Sequence, residues 1–305
     1  MALADADRQP RLQRSLRGDR QEPMTSWVRR APDAGFTLVE LAVVMMIIAF
    51  LIGSLLYTLS AQTEQRNFEE TRHRLDQARE LILSFAIVNG RLPCPARSTS
   101  AGVEVRDPAT GRCWDGATED YYGGTLTGGV TGGLLPAVTL GHPQVDTNGF
   151  AQDAWGNRIR YAVAKSIAAG TCTGSFTNPH WVNAANMKAN GIACQPGDLL
   201  ICKSSAVAPA MSTGSCGGTP AGQNQLMSQS LVVAIVFSTG KNGATTGGSG
   251  ADEAKNLDGA GNADPVFIYH TPTPSGFATG EFDDQFNWLT VGELYGRLIA
   301  GGVLP

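Results

Sequence analysis

Apolar and polar positions divide the first third of the chain sharply. Leu41 to Leu59 is a run of nineteen residues without a charge, and Glu40 stands directly before it. At about 1.5 Å per residue, a helix of that length matches a bilayer core of roughly 30 Å. From Ser60 to Glu80 the text turns to Gln, Glu and Arg, yet Phe68, Leu75 and Ile82 recur every seven residues. Ala78, Leu81, Phe85 and Val88 widen that stripe into an apolar face. Asn89-Gly90 signals a helix C-terminus, and Pro93 prevents continuation. The pattern predicts one helix from Phe36 to Asn89, about 80 Å long by helix rise. Its front half is apolar all round and its rear half amphipathic. Gly53-Ser54 is the place where it could soften, and two separate helices are the alternative.

Beyond Gly90 the periodicity changes. Arg91 to Phe150 reads as loop, punctuated by Leu92-Pro93-Cys94-Pro95, Gly123-Gly124, Gly128-Gly129 and Gly132-Gly133. Arg158 to Val163 alternates as a half-buried strand does. Leu199–Cys202, Leu231–Phe237, Val266–Tyr269 and Trp288–Val291 are further strands, and the run at 231–237 is apolar enough to be central. One long helix followed by separated strands predicts an α+β fold with a mainly antiparallel sheet.

Composition narrows the class. The 37 glycines and 16 prolines suit a loop-rich β domain, and most glycines fall after Gly90. A net charge of −4 gives no electrostatic case for nucleic acid, which favours a basic patch. The six cysteines, Cys94, Cys113, Cys172, Cys194, Cys202 and Cys216, all follow the apolar run. An even count confined to one side of that run reads as disulfides in an oxidising compartment. Six cysteines allow fifteen pairings. The nearest-neighbour set, Cys94–Cys113, Cys172–Cys194 and Cys202–Cys216, closes three irregular loops, each worth about 3 kcal/mol in the chain-entropy picture. There is no Cys-x-x-Cys, and His73, His142, His180 and His270 are scattered singly, which argues against zinc. No Gly-x-Ser-x-Gly, phosphate-loop or His-Glu-x-x-His motif occurs, so the sequence carries no enzyme signature.

Residues 1–35 hold seven arginines against five acids. Basic flanks stay cytoplasmic, which predicts a single pass of the inner membrane with the C-terminal region in the periplasm. Met24 offers an alternative start, leaving a leader of twelve residues; the other reading is a cytoplasmic extension over 1–23. An ordinary secretory signal has a shorter apolar region with its cleavage site behind it. A simple membrane anchor has no use for Glu40, whose carboxylate costs about 2.5–3.5 kcal/mol at bilayer centre and less near the end.

Gly35-Phe36-Thr37-Leu38-Val39-Glu40 before an apolar helix resembles the cleavage site of type IV prepilins and type II secretion pseudopilins. The resemblance implies that a prepilin peptidase cuts between Gly35 and Phe36, that Phe36 is N-methylated, and that Glu40 attracts the methylated amine of a neighbouring subunit. It further implies a removed leader over 1–35, a membrane or filament-core segment over 36–62 and a periplasmic pilin-like domain over 63–305. Asp153-Ala154-Trp155-Gly156-Asn157 is similar to a segment of the major pseudopilin. So are Ser238 to Gly243 with Gly247-Gly248-Ser249-Gly250, and Phe282-Asp283-Asp284 with Trp288. The long middle region and its six cysteines depart from that short pattern, which implies a minor or specialised subunit of a secretion pseudopilus or type IV pilus.

In that family the glycine-rich loop holds calcium. Asp252, Glu253, Asp258, Asp264, Asp283 and Asp284 supply the hard oxygens that calcium takes, although Lys241 stands where the family is acidic and Ala254–Asn262 lengthens the spacing. Solvated loop acids are the alternative. The implied partners are other pilin subunits, met through the N-terminal helix, together with the peptidase and the inner membrane. A tip pilin that binds a surface, DNA or a secreted substrate through its stapled loops, and a membrane-anchored periplasmic enzyme, are the competing readings.

Overall fold

The computed structural model describes residues 35, 37–170, 172, 179–208, 210–212, 214–220, 222–243, 250–257 and 264–304, the side chains of 54–60 excepted. The chain divides into two compact units, Met1–Leu56 and Tyr57–Pro305. Its elements in order are α1 (Leu38–Asn89), β1 (Gly124–Thr125), β2 (Thr131–Gly132), α2 (Ala137–Leu140), β3 (Arg160–Val163), α3 (Ala184–Asn190), β4 (Leu200–Cys202), β5 (Gln225–Met227), β6 (Val232–Ser238), α4 (Ala251–Asn256), β7 (Val266–Ile268), β8 (Gln285–Thr290) and α5 (Val291–Ala300). The fold is α+β, with an N-terminal helix, mainly antiparallel sheets and three disulfides.

Helix α1 is a single element of 52 residues that runs on through Gly53. It begins two residues later than the pattern predicts because Thr37 caps it. The Thr37 hydroxyl accepts the Glu40 N–H at 3.2 Å, and its carbonyl accepts the Leu41 N–H at 3.1 Å. In the first unit the large side chains from Leu38 to Ile52 are exposed, Leu38 at 85%. Over the described residues no helix is long and apolar enough to cross a membrane. The expected run Leu41–Leu59 falls partly on residues 54–60, whose side chains lie outside the described set. Residues 1–34 of the leader and Phe36 lie outside the described residues as well.

In the second unit the rear of α1 buries Leu75, Ala78, Ile82, Leu83 and Ala86. Val88, expected on the same stripe, is exposed. Thirteen residues beyond Leu75 places it about 220° round the helix, whereas Ala86 at eleven residues returns to within about 20°. Gly90 ends the helix with φ +67°, its N–H donating to the Ala86 carbonyl at 2.8 Å. Because Ile82 is fully enclosed, Ile82→Ala should lower the stability of the protein by about 2–5 kcal/mol in a urea titration, with the midpoint falling and the slope unchanged.

One sheet has the order β3-β6-β8, antiparallel throughout, with Tyr161 opposite Val236 and Ile235 opposite Trp288. Strand β6 is buried along its whole length and lies in the middle, as its uninterrupted apolar run predicts. The second sheet, β5-β4-β7, contains a parallel pair, β4 with β7. Sequence pattern places Val291 in the last strand, but the strand starts at Gln285 and Val291 opens α5, where Thr290 accepts the Glu293 N–H at 3.4 Å. Helix α4 replaces what reads as loop.

The nearest-neighbour pairs Cys94–Cys113, Cys172–Cys194 and Cys202–Cys216 are joined, with Cα separations of 5.2, 5.0 and 5.4 Å. Arg91, just before the first of these loops, pairs at 2.6 Å with Glu104 inside it, and Tyr161 donates its hydroxyl to the Pro93 carbonyl at 3.1 Å. These contacts fix a segment that lacks regular structure.

Candidate functional site

Three buried carboxylates meet where β6, α4 and β8 converge. Glu253 comes from the first turn of α4, and Asp283 and Asp284 immediately precede β8. One carboxylate oxygen from each lies within 4.8 Å of the others. Helix α4 is held in place by Asn256, which brackets β7: its amide donates to the Ile268 carbonyl at 3.0 Å, and its oxygen accepts the Ile268 N–H at 2.7 Å. The loop after β6 closes the site from the other side. Gly240, at φ +62°, passes so close that a Cβ there would stand 1.8 Å from Asp283 Oδ1, so the approach requires glycine.

Neutral amides reach the cluster. The Lys241 N–H donates to Asp283 Oδ2 at 2.9 Å, and Asn256 Nδ2 donates to Asp284 Oδ2 at 2.7 Å. Asn242 Nδ2 and the Asp283 N–H donate to Glu253 at 2.8 and 2.9 Å. The second oxygens, Oδ1 of Asp283 and Oδ1 of Asp284, are buried and receive no hydrogen bond among the described residues. Burial, then the charge of Glu253, pushes Asp283 up to about 7. Burial pushes Asp284 well above the usual carboxylate range, and Glu253 and Asp283 add to that rise. Two orphaned carboxylate oxygens aimed among like charges fit a divalent cation that takes oxygen ligands.

Of the six acids that the sequence marks, the structure gathers these three. Asp252 points away, accepting from Ser204 Oγ, from Ser205 and from His270 Nε2 at 3.2 Å. Adjacent residues on a helix diverge by about 100°, so Asp252 and Glu253 cannot share one ion here. Asp264 pairs with Lys255, and Asp258 lies outside the described residues together with Gly247, Gly248 and Ser249. Lys241 leaves the cluster uncrowded, since its ammonium turns outward to Glu64 at 3.5 Å while only its amide faces Asp283.

Sequence reasoning missed the support from Asn242 and Asn256, and it gave the Asp153–Asn157 turn no structural task. Asp153 Oδ1 accepts the N–H groups of Trp155 and Asn157 at 2.9 and 2.8 Å, while Oδ2 accepts the Ser238 hydroxyl at 2.6 Å. Asn157 Nδ2 donates to the Gly240 carbonyl at 2.6 Å. Trp155 packs edge-on against Phe68 of α1, with centroids 5.0 Å apart, and Arg74 of α1 donates to the Gln152 and Asp153 carbonyls at 2.9 Å. This turn therefore links the helix to the loop that closes the cluster. An acidic residue three before glycine was the available signal for it.

At the other end of the chain, Gly35, Thr37 and Glu40 stand at the start of α1, ahead of exposed apolar side chains. Residues 30–56 match the prokaryotic N-terminal methylation motif. The motif encloses Gly35, Phe36 and Glu40 and ends at Leu56, before the second unit begins at Tyr57. The match supports the prepilin-type signal that the sequence resembles, over residues 30–56. No curated protein and no solved structure matches the chain.

Proposed function

We propose that the protein is a prepilin-peptidase substrate, a minor pilin or pseudopilin that assembles through α1 into a pilus or secretion pseudopilus. The observation that carries this reading is the methylation motif at 30–56, set against a helix whose front half exposes Leu38 to Ile52. An apolar surface of that extent needs a cover, and lipid before assembly and neighbouring helices after it both provide one. The proposal includes insertion of Leu41–Leu59 in the inner membrane with the domain from residue 63 outside, cleavage between Gly35 and Phe36, and methylation of Phe36. Glu40 then sets the stagger of subunits. An opposite charge at about 4 Å is a strong interaction in low dielectric, although desolvation offsets much of it. The cluster of Glu253, Asp283 and Asp284 holds calcium in this reading and stabilises the domain rather than performing chemistry.

Intact-mass measurement of the mature protein tests the proposal. The expected mass is that of a chain starting at Phe36, plus one methyl group, minus the six hydrogens of three disulfides. Gly35→Ala should leave most of the precursor uncut. A mature chain beginning after residue 60 would show an ordinary signal peptide and end this reading.

A further inference from the structure

The Cys172–Cys194 disulfide has a histidine built against it. His180 Nδ1 lies 3.5 Å from Cys194 Sγ, and the ligand atoms of Cys172, His180 and Cys194 all lie within 4.8 Å of one another. The ring is 2% exposed and packs edge-on against Trp181, with centroids 4.7 Å apart. Its Nε2 is buried and has no hydrogen-bond partner among the described residues, so the imidazole meets sulfur on one side and is unpartnered there on the other. Leaving a buried polar group in that condition costs about 1–3 kcal/mol, which a packing role does not recover.

Contacts other than the disulfide hold Cys194 and Trp181 in place. Tyr295 donates its hydroxyl to the Cys194 carbonyl at 2.8 Å, and the Leu92 N–H donates to the Trp181 carbonyl at 2.9 Å. The Trp181 indole donates to the Ser166 carbonyl at 3.1 Å. Cys194 and Trp181, the neighbour of His180, are therefore anchored by bonds that do not depend on the sulfur–sulfur link.

We propose that Cys172, His180 and Cys194 form a redox-gated site for copper(I), closed as a disulfide and open as a dithiol. Two thiolates and an imidazole are soft donors that select thiophilic ions. Zinc asks for four ligands, and among the described residues no fourth His, Cys, Asp or Glu joins the group. Three donors in a dry setting suit copper(I). Opening requires a dithiol reductant. One of its sulfurs attacks the half-buried Cys172 sulfur, and the Cys172–Cys194 bond breaks with Cys194 leaving as thiolate. The second sulfur of the reductant then attacks the mixed disulfide and releases Cys172. The reductant ends as its own disulfide, and the two electrons remain on the two cysteines. Copper(I) displaces the two thiol protons and accepts the imidazole lone pair without a third proton loss.

The test is an anaerobic competition for copper(I) between the full-length protein and a chromophoric chelator. Protein reduced with a dithiol and freed of it should withdraw one copper ion per chain more than a Cys172→Ser, Cys194→Ser double variant, which keeps the other four cysteines. Oxidised protein should withdraw none, and His180→Ala should bind that ion about tenfold more weakly or worse. X-ray absorption on the reduced wild type should show sulfur and imidazole scattering together, and that result stands whether or not the variants fold. Equal uptake by wild type and double variant, unchanged affinity in His180→Ala, or a spectrum of sulfur alone would each overturn the proposal.

Discussion

Millimolar calcium should raise the melting midpoint of the processed protein above its value in chelator, and Asp284→Asn should erase the difference. A ligand at a hundredfold excess over its Kd stabilises the folded state by about 2.7 kcal/mol. In a domain of this size each kcal/mol moves the midpoint by about 2–4 °C. The effect depends on pH with a definite sign. Asp283 sits near 7 when folded, and Asp284 is also raised, while both fall in the ordinary carboxylate range when unfolded. The folded, ion-free protein therefore binds more protons than the unfolded chain between about pH 4 and 7. Its stability should fall as pH rises through that window. Calcium binds the deprotonated carboxylates, so its benefit should be large at pH 8 and fade near pH 5. Asp284→Asn keeps an oxygen for Asn256 Nδ2 but removes a carboxyl whose ionisation beside Glu253 and Asp283 is costly. That variant should melt higher than wild type in chelator and ignore calcium, and magnesium should replace calcium poorly because of its tighter geometry. Superimposable melts of wild type in calcium and chelator at pH 8 would reduce the cluster to a structural knot of protonated carboxyls.

Much of the frame was legible because it follows from spacing. The seven-residue recurrence of Phe68, Leu75 and Ile82 and the stop at Asn89-Gly90 define the rear of α1, and the apolar run at 231–237 defines the central strand. The apolar face as read from sequence is too wide at Val88, which lies about 220° round the helix from Leu75 and is exposed. Helix α5 was hidden by composition: Trp288-Leu289-Thr290-Val291 has strand character, and Gly292 and Gly296 depress helix propensity. A Thr-x-x-Glu capping signal was nonetheless present at Thr290–Glu293, the same signal that starts α1 at Thr37–Glu40. At the carboxylate cluster the acids were visible in sequence, but which of them converge was not. That choice is made by the angle between Asp252 and Glu253 on α4 and by Asn256 pinning the helix to β7. Pairwise convergence of this kind belongs to tertiary structure, and no local pattern encodes it.

Glu40→Val should leave membrane insertion intact or improved and cut incorporation into filaments by at least an order of magnitude. Removing a carboxylate from an apolar helix relieves a cost of about 2.5–3.5 kcal/mol at most, so loss of assembly could not come from poorer insertion. Nor could it come from a lost helix start. The cap contact that the structure shows uses the Glu40 backbone N–H and the Thr37 hydroxyl, and a valine at 40 retains that N–H. Two further variants separate charge from cap. Glu40→Gln keeps size and polarity while deleting the charge, and it should assemble almost as poorly as Glu40→Val. Thr37→Ala deletes the cap, worth about 1 kcal/mol, and should loosen the first turn with a much smaller effect on assembly. The readout is the ratio of sheared filament to membrane-bound subunit for each variant, alongside mass measurement to show that each is processed. If Glu40→Gln assembles like wild type, the carboxylate has no registering charge to contribute. If Thr37→Ala fails as badly as Glu40→Val, the helix start and not the charge governs assembly.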